Sequence, residues 1–171
     1  MTEYAIAALG PDRPGVIAAL TEVLLADAGN LEDASMTILR GQFAMTLVVD
    51  VPLPLAQVQA SLAPVADRLG LLISVREVTD VPPGPPARPY QVHLHGADRP
   101  GLVHRVTALL ADAGVNVTDL TTRLSGTLYV LVAEVDLPES VDPVALAAGL
   151  RSVAADLGVE ASLQPAQADL L

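Results

Sequence analysis

The chain contains no cysteine and no lysine. The first absence removes disulfides, thiolate nucleophiles and thiolate metal sites together. The second leaves nine basic residues, all arginine, against 20 carboxylates and a formal net charge of -11. The arginines are scattered, so no basic stripe can displace counterions from a phosphate backbone, and direct nucleic-acid binding is not expected. Long apolar runs are also missing. Although 51% of the 171 residues are apolar and the mean hydropathy is +0.48, charge, proline or glycine interrupts the apolar stretches every few residues. The start Met-Thr-Glu-Tyr has neither the basic n-region nor the apolar core of a signal peptide, so a cytoplasmic protein without membrane association is expected.

Catalytic patterns are absent too. There is no Gly-x-Ser-x-Gly elbow, no Walker-type phosphate loop, and no serine with a histidine in a recognisable arrangement. Glu32 and Asp33 are neighbours on an expected strand and point to opposite faces, so they cannot share a proton. The sequence argues for no enzyme and no cofactor.

What is present is a repeat. Sliding the chain on itself by 86 positions places Tyr4 on Tyr90, Gly10 on Gly96, and Asp12-Arg13-Pro14-Gly15 on Asp98-Arg99-Pro100-Gly101. The same shift places Thr21 on Thr107, Asn30 on Asn116, Asp33 on Asp119, Asp50 on Asp136 and Pro52 on Pro138. Self-similarity at one offset marks a duplicated structural unit. Between the copies, residues 79–89 read Thr-Asp-Val-Pro-Pro-Gly-Pro-Pro-Ala-Arg-Pro, suited to an extended, semi-rigid connection. The expected organisation is a first unit over 1–78, a linker over 79–89, a second unit over 90–163 and a frayed tail over 164–171.

Periodicity sets the elements of each copy. Residues 3–9 read as a buried strand, and Gly10-Pro11-Asp12-Arg13-Pro14 as a turn that puts proline in the first turn of a helix. Ile17, Leu20 and Leu24 recur at helical spacing over 15–28, with Gly29-Asn30 as the stop. Strands over 31–39 and 42–51 flank Arg40-Gly41 as a hairpin, and Phe43, Met45, Leu47, Val49 and Val51 share one face. Leu55, Val58, Leu62, Val65 and Leu69 form a second helical stripe, which Pro64 is expected to kink or shorten, and residues 71–78 close the copy as a strand. The predicted fold class is α+β: two ferredoxin-like βαββαβ units, each an antiparallel four-stranded sheet with both helices on one face. The other sheet face would then be covered by the second copy or a second chain.

The turn before the first helix carries the chemistry. Backbone N–H groups at a helix start lack internal partners and lie at the positive end of the dipole, which suits a carboxylate. Gly15 and Gly101 allow close approach to that backbone. Asn30 and Asn116 offer both a donor and an acceptor, and Asp33 and Asp119 offer negative charge for an ammonium. The candidate ligand-binding set is Pro11, Asp12, Arg13, Pro14, Gly15, Asn30 and Asp33, with Asp98, Arg99, Pro100, Gly101, Asn116 and Asp119 in the second copy. A purely structural reading fits the same residues: Asp12 and Asp98 as helix caps, the prolines as helix starters, the asparagines in positive-φ turns, and Arg13 and Arg99 in exposed salt bridges. His93 and His95 share a strand face, with His104 early in the next helix, but no pattern supplies the further ligand of a metal site, and none is expected.

The segments Gly-Pro-Asp-Arg-Pro-Gly followed by Asn30-Leu31-Glu32-Asp33, and Gly96-Ala97-Asp98-Arg99-Pro100-Gly101 followed by Asn116-Val117-Thr118-Asp119, resemble the ACT domain, a small regulatory module that binds amino acids. Within it the chain is most similar to the glycine cleavage system transcriptional repressors, through the first copy's motif together with Met36-Thr37-Ile38-Leu39-Arg40-Gly41 and Phe43-Ala44-Met45. The resemblance implies a regulator that binds a small amino acid, glycine or serine in view of the Ala and Gly around the turn, and that acts through an unidentified regulatory protein, with a homodimer expected. The alternatives are a ligand-free assembly module, or the detached regulatory part of an amino-acid metabolic enzyme, since similar pairs precede the catalytic domain of some phosphoserine phosphatases. In a fluorescence-anisotropy titration with duplex DNA at physiological salt, the isolated chain should show no binding; measurable affinity would overturn the charge argument.

Overall fold

A computed structural model describes residues 1–79 and 84–166. Part of the expected linker (80–83) and most of the expected tail (167–171) lie outside the described residues. The chain divides into two units, Met1–Val81 and Pro82–Leu171. In the first unit the elements are β1 (Thr2–Pro11), α1 (Val16–Ala26), β2 (Asn30–Leu39), β3 (Gln42–Val51), α2 (Leu55–Leu69) and β4 (Leu72–Glu77). The second repeats them as β5 (Ala87–Ala97), α3 (Leu102–Asp112), β6 (Asn116–Ser125), β7 (Leu128–Pro138), α4 (Pro143–Leu157) and β8 (Val159–Pro165). Ala87–Pro89, expected as linker, already pair with β7, and β8 runs on through Gln164 and Pro165, expected as tail.

Both sheets are antiparallel, in the orders β2-β3-β1-β4 and β6-β7-β5-β8, which is the predicted βαββαβ topology twice. The alternation anticipated for 42–51 is the buried stripe of β3, where Phe43, Met45, Leu47, Val49 and Val51 all lie in the core. They meet Tyr4, Ile6 and Ala8 of β1, Val16, Leu20 and Leu24 of α1, and Val58, Leu62 and Val65 of α2. Each large apolar side chain so buried contributes about 1.5–3 kcal/mol, which is what holds both helices on one sheet face. The core's one phenol is satisfied: Tyr4 Oη donates to the Leu53 carbonyl at 2.8 Å. The edge strand β2 lies beyond this cover, and all ten of its residues are exposed.

Three local expectations are corrected. Asp12 and Asp98 are not caps: the N-cap positions belong to Gly15 and Gly101, and no side chain caps α1 or α3. Pro14 and Pro100 therefore precede the helices rather than occupying their first turns. Pro64 does not shorten α2, which runs continuously from Leu55 to Leu69. It sits on the exposed helix face, where water can take the carbonyl its ring leaves free, while Leu62 and Val65 beside it are buried and hold the helix in place.

The stop of α1 also differs. The left-handed residue is Ala28 (φ 56°), not Gly29 or Asn30, and the N–H groups of Ala28 and Gly29 close back on Leu25 and Leu24 at 3.0 and 2.8 Å. This is a Schellman closure, repeated in the second unit by Gly114 (φ 70°) and Val115. Since only glycine adopts this conformation without Cβ strain, Ala28→Gly should raise unfolding stability by about 1 kcal/mol, measured by urea denaturation. A loss of stability would contradict the assigned cap.

Candidate functional site

The turn between β1 and α1 is built by one backbone requirement. Gly15 has φ 91° and ψ -2°, and Gly101 in the second unit has φ 88° and ψ 0°. In both units the glycine carbonyl accepts the first full helical bond, Ala19 N–H to Gly15 O and Arg105 N–H to Gly101 O, each at 2.9 Å. The N–H groups of Ile17 and Ala18 come before that bond and have no carbonyl one turn back within the helix. Beyond Gly15 and its two chain neighbours, no atom lies within 4 Å of where a Cβ on Gly15 would stand, so the backbone there is open to approach. The turn is tied to the hairpin by Asp12 N–H donating to the Gly41 carbonyl at 2.9 Å.

Above this turn lies a groove of about 320 Å³ lined by Asp12, Arg13, Pro14, Gly15, Val16, Ile17 and Ala18, and on its far side by Met36, Ile38 and Phe43. Its polar groups are confined to the turn, and its other walls are apolar. Met36, Ile38 and Phe43 were not among the residues singled out as a site. Their signal in the sequence was an apolar period of two, which reads as ordinary core on any strand. Here β2 is an edge, and Met36 and Ile38 stay 41% and 49% exposed.

Asn30 and Asp33 are not part of that groove. Asn30 opens β2 opposite Asp50 of β3, whereas the turn lies near the other end of β2, where Ile38 faces Phe43. Eight strand residues separate the two ends, about 26 Å. The Asn30 amide donates to Glu32 Oε1, and Asp33 Oδ1 accepts from the Ala34 N–H at 2.8 Å. Glu32 is the extra residue of a bulge between Leu31 and Asp33, which the second unit reproduces between Val117 and Asp119. Asn116 and Asp119 are exposed on β6 in the same way, and neither asparagine has positive φ.

The units differ at the turn arginines. Arg13 lines the groove of its own unit. Arg99 lies beside the C-cap of α4, where a Cβ on Gly158 would come within 3.4 Å of its Nη2, at the negative end of that helix. Asp98, Pro100 and Gly101 are exposed. His93 and His95 occupy the sheet face away from the helices, His95 pairing with Glu160 at 3.3 Å, while His104 rides on α3. Among the described residues no group of three histidine or carboxylate side chains could hold a metal. No described helix is long and apolar enough to cross a membrane.

Residues 4–76 and 89–164 each match the ACT domain. The chain belongs to the ACT domain family. The glycine cleavage system transcriptional repressor of Escherichia coli K12 is 29% identical over 119 residues, covering 69% of this chain and 63% of that protein. A UPF0237 protein of Methanopyrus kandleri is 43% identical over 51 residues, covering 30% of this chain and 57% of its own length. The chain thus spans about three fifths of these two curated relatives. Among solved structures, a protein of unknown function from Galdieria sulphuraria matches with a TM-score of 0.85 and 27% identity over 97% of this chain and 99% of that one. A putative glycine cleavage system transcriptional repressor has the same fold, with a TM-score of 0.71 and 17% identity over 95% and 96% of the two chains.

In this tandem ACT protein the turn glycines are conformational requirements before they are anything else. Gly15→Ala or Gly101→Ala should each cost roughly 1–2 kcal/mol from placing a Cβ in the left-handed region, seen as a lowered denaturation midpoint. An unchanged midpoint in both would show that the turn relaxes freely.

Proposed function

We propose that the chain is a non-catalytic regulator that senses a small amino acid. The observation that carries this reading is the groove at the first turn, where unpaired helix-start N–H groups, Arg13 and Asp12 stand together beside an open glycine backbone. The N–H groups and Arg13 suit a carboxylate, and Asp12 suits an ammonium. The E. coli relative is a transcriptional repressor by name. With a net charge of -11, any effect of this chain on transcription passes through another protein. Asn30 and Asp33 lie too far from their own turn to share its ligand, so a ligand touching both sets takes them from two copies of the unit, as in a homodimer.

An assembly module without a ligand is the second reading. It is favoured by the wholly exposed edge strand β2, which carries Leu31, Met36, Ile38 and Leu39 at 41% to 64% exposure. Calorimetric titration of the full chain with the twenty amino acids, glycine and serine leading, separates the two. The sensor predicts saturable binding at micromolar to millimolar ligand. Repeating it with Asn30→Ala and Asn116→Ala identifies which strand start contributes. Silence across the panel would leave the assembly module.

A further inference from the structure

We infer that the first unit's groove selects an amino acid with an aliphatic side chain of the size of leucine, isoleucine or methionine, and that Met36 and Ile38 set this preference. The inference rests on the amino-acid reading of the site given above. The expectation of a glycine- or serine-sized ligand came from the small residues of the turn itself. The turn, however, supplies only one end of the groove. The remainder is supplied by residues remote in sequence: Met36 and Ile38 from β2 and Phe43 from β3, facing Val16 and Ile17 of α1.

Charged and polar side chains lie only at the turn, as Asp12 and Arg13. A ligand whose ammonium and carboxylate meet those groups must direct its side chain along a wall with no side-chain donor or acceptor. A hydroxyl or charged terminus there would lose water without gaining a partner, whereas a hydrocarbon removes apolar surface from water on both sides. That surface is present: Ile17, Met36 and Ile38 are 41%, 41% and 49% exposed. Glycine would leave it uncovered. The groove, at about 320 Å³, also falls within the range of about 300–1,000 Å³ of small-molecule sites.

The second unit serves as an internal comparison. At the positions matching Ala18, Met36 and Phe43 it has His104, Thr122 and Tyr129, so the same backbone there carries polar groups along the equivalent wall. The aliphatic preference therefore belongs to the first unit.

The test is calorimetry on the full chain with L-leucine, L-isoleucine, L-methionine, L-serine and glycine, repeated with Met36→Thr and Ile38→Thr. Both side chains are half exposed on an edge strand, and an unchanged melting temperature confirms that each variant is folded. The aliphatic ligands should bind more tightly than glycine or serine, and each variant should weaken them roughly tenfold while leaving glycine unaltered. Glycine or serine binding as tightly as leucine, or leucine binding indifferent to both substitutions, would overturn the aliphatic preference but keep the amino-acid reading. Absence of saturable binding by any of the twenty amino acids would overturn both.

Discussion

A glycine in the left-handed region joins the central strand to the first helix in each unit, and the geometry of the turn at the helix start depends on it. At φ near +90° the chain leaves β1 or β5 and enters a helix within a few residues, so that Val16 or Leu102 drops into the core directly after the turn. An L-residue there would place its Cβ against its own backbone. Because no side chain caps the helix that follows, its first N–H groups remain available. The same conformation that starts the helix thus leaves unpaired N–H groups, of the kind that suit an anion, exposed beside it.

The second determinant is the position of β2 at the sheet edge. Both helices cover β1, β3 and part of β4, and β2 is left with one neighbour and no roof. Its apolar residues on the helix side accordingly have nothing of their own unit to pack on fully, and they form a wall instead of a core. Whether the wall is apolar depends on a few side chains, so two copies of one backbone present different surfaces at this place. Met36 and Phe43 are replaced by Thr122 and Tyr129 at the matching positions of the second copy, and Arg13 borders a groove while Arg99 lies against the end of α4. Backbone requirements have been kept where chain geometry demands them, as in the paired bulges after Asn30 and Asn116, and side chains have changed where it does not.

The repeat, the element order and most residues of the core were legible in the sequence by itself, because helical and strand periods, turn chemistry and burial stripes are local properties of the chain. In α1, however, Val16 is buried with Leu20 and Leu24, and Ile17, read as part of that stripe, is exposed. Phe43 to Val51 announces its buried face in any context that has one. Local reasoning went astray where two explanations share one signal: Asp before a helix reads as a cap whether or not it is one, and only the backbone angle assigns that position to Gly15. The turn side of the candidate groove, Asp12 to Gly15, was legible too, but its far wall of Met36, Ile38 and Phe43 was decided by tertiary structure alone. The antiparallel return of β2 alongside α1 carries Ile38 to the turn and leaves Asn30 at the far end, although Asn30 is nearer to that turn in sequence. Which residues meet depends on strand order and register, and those are set by the burial of the whole sheet face, which no window of the sequence contains.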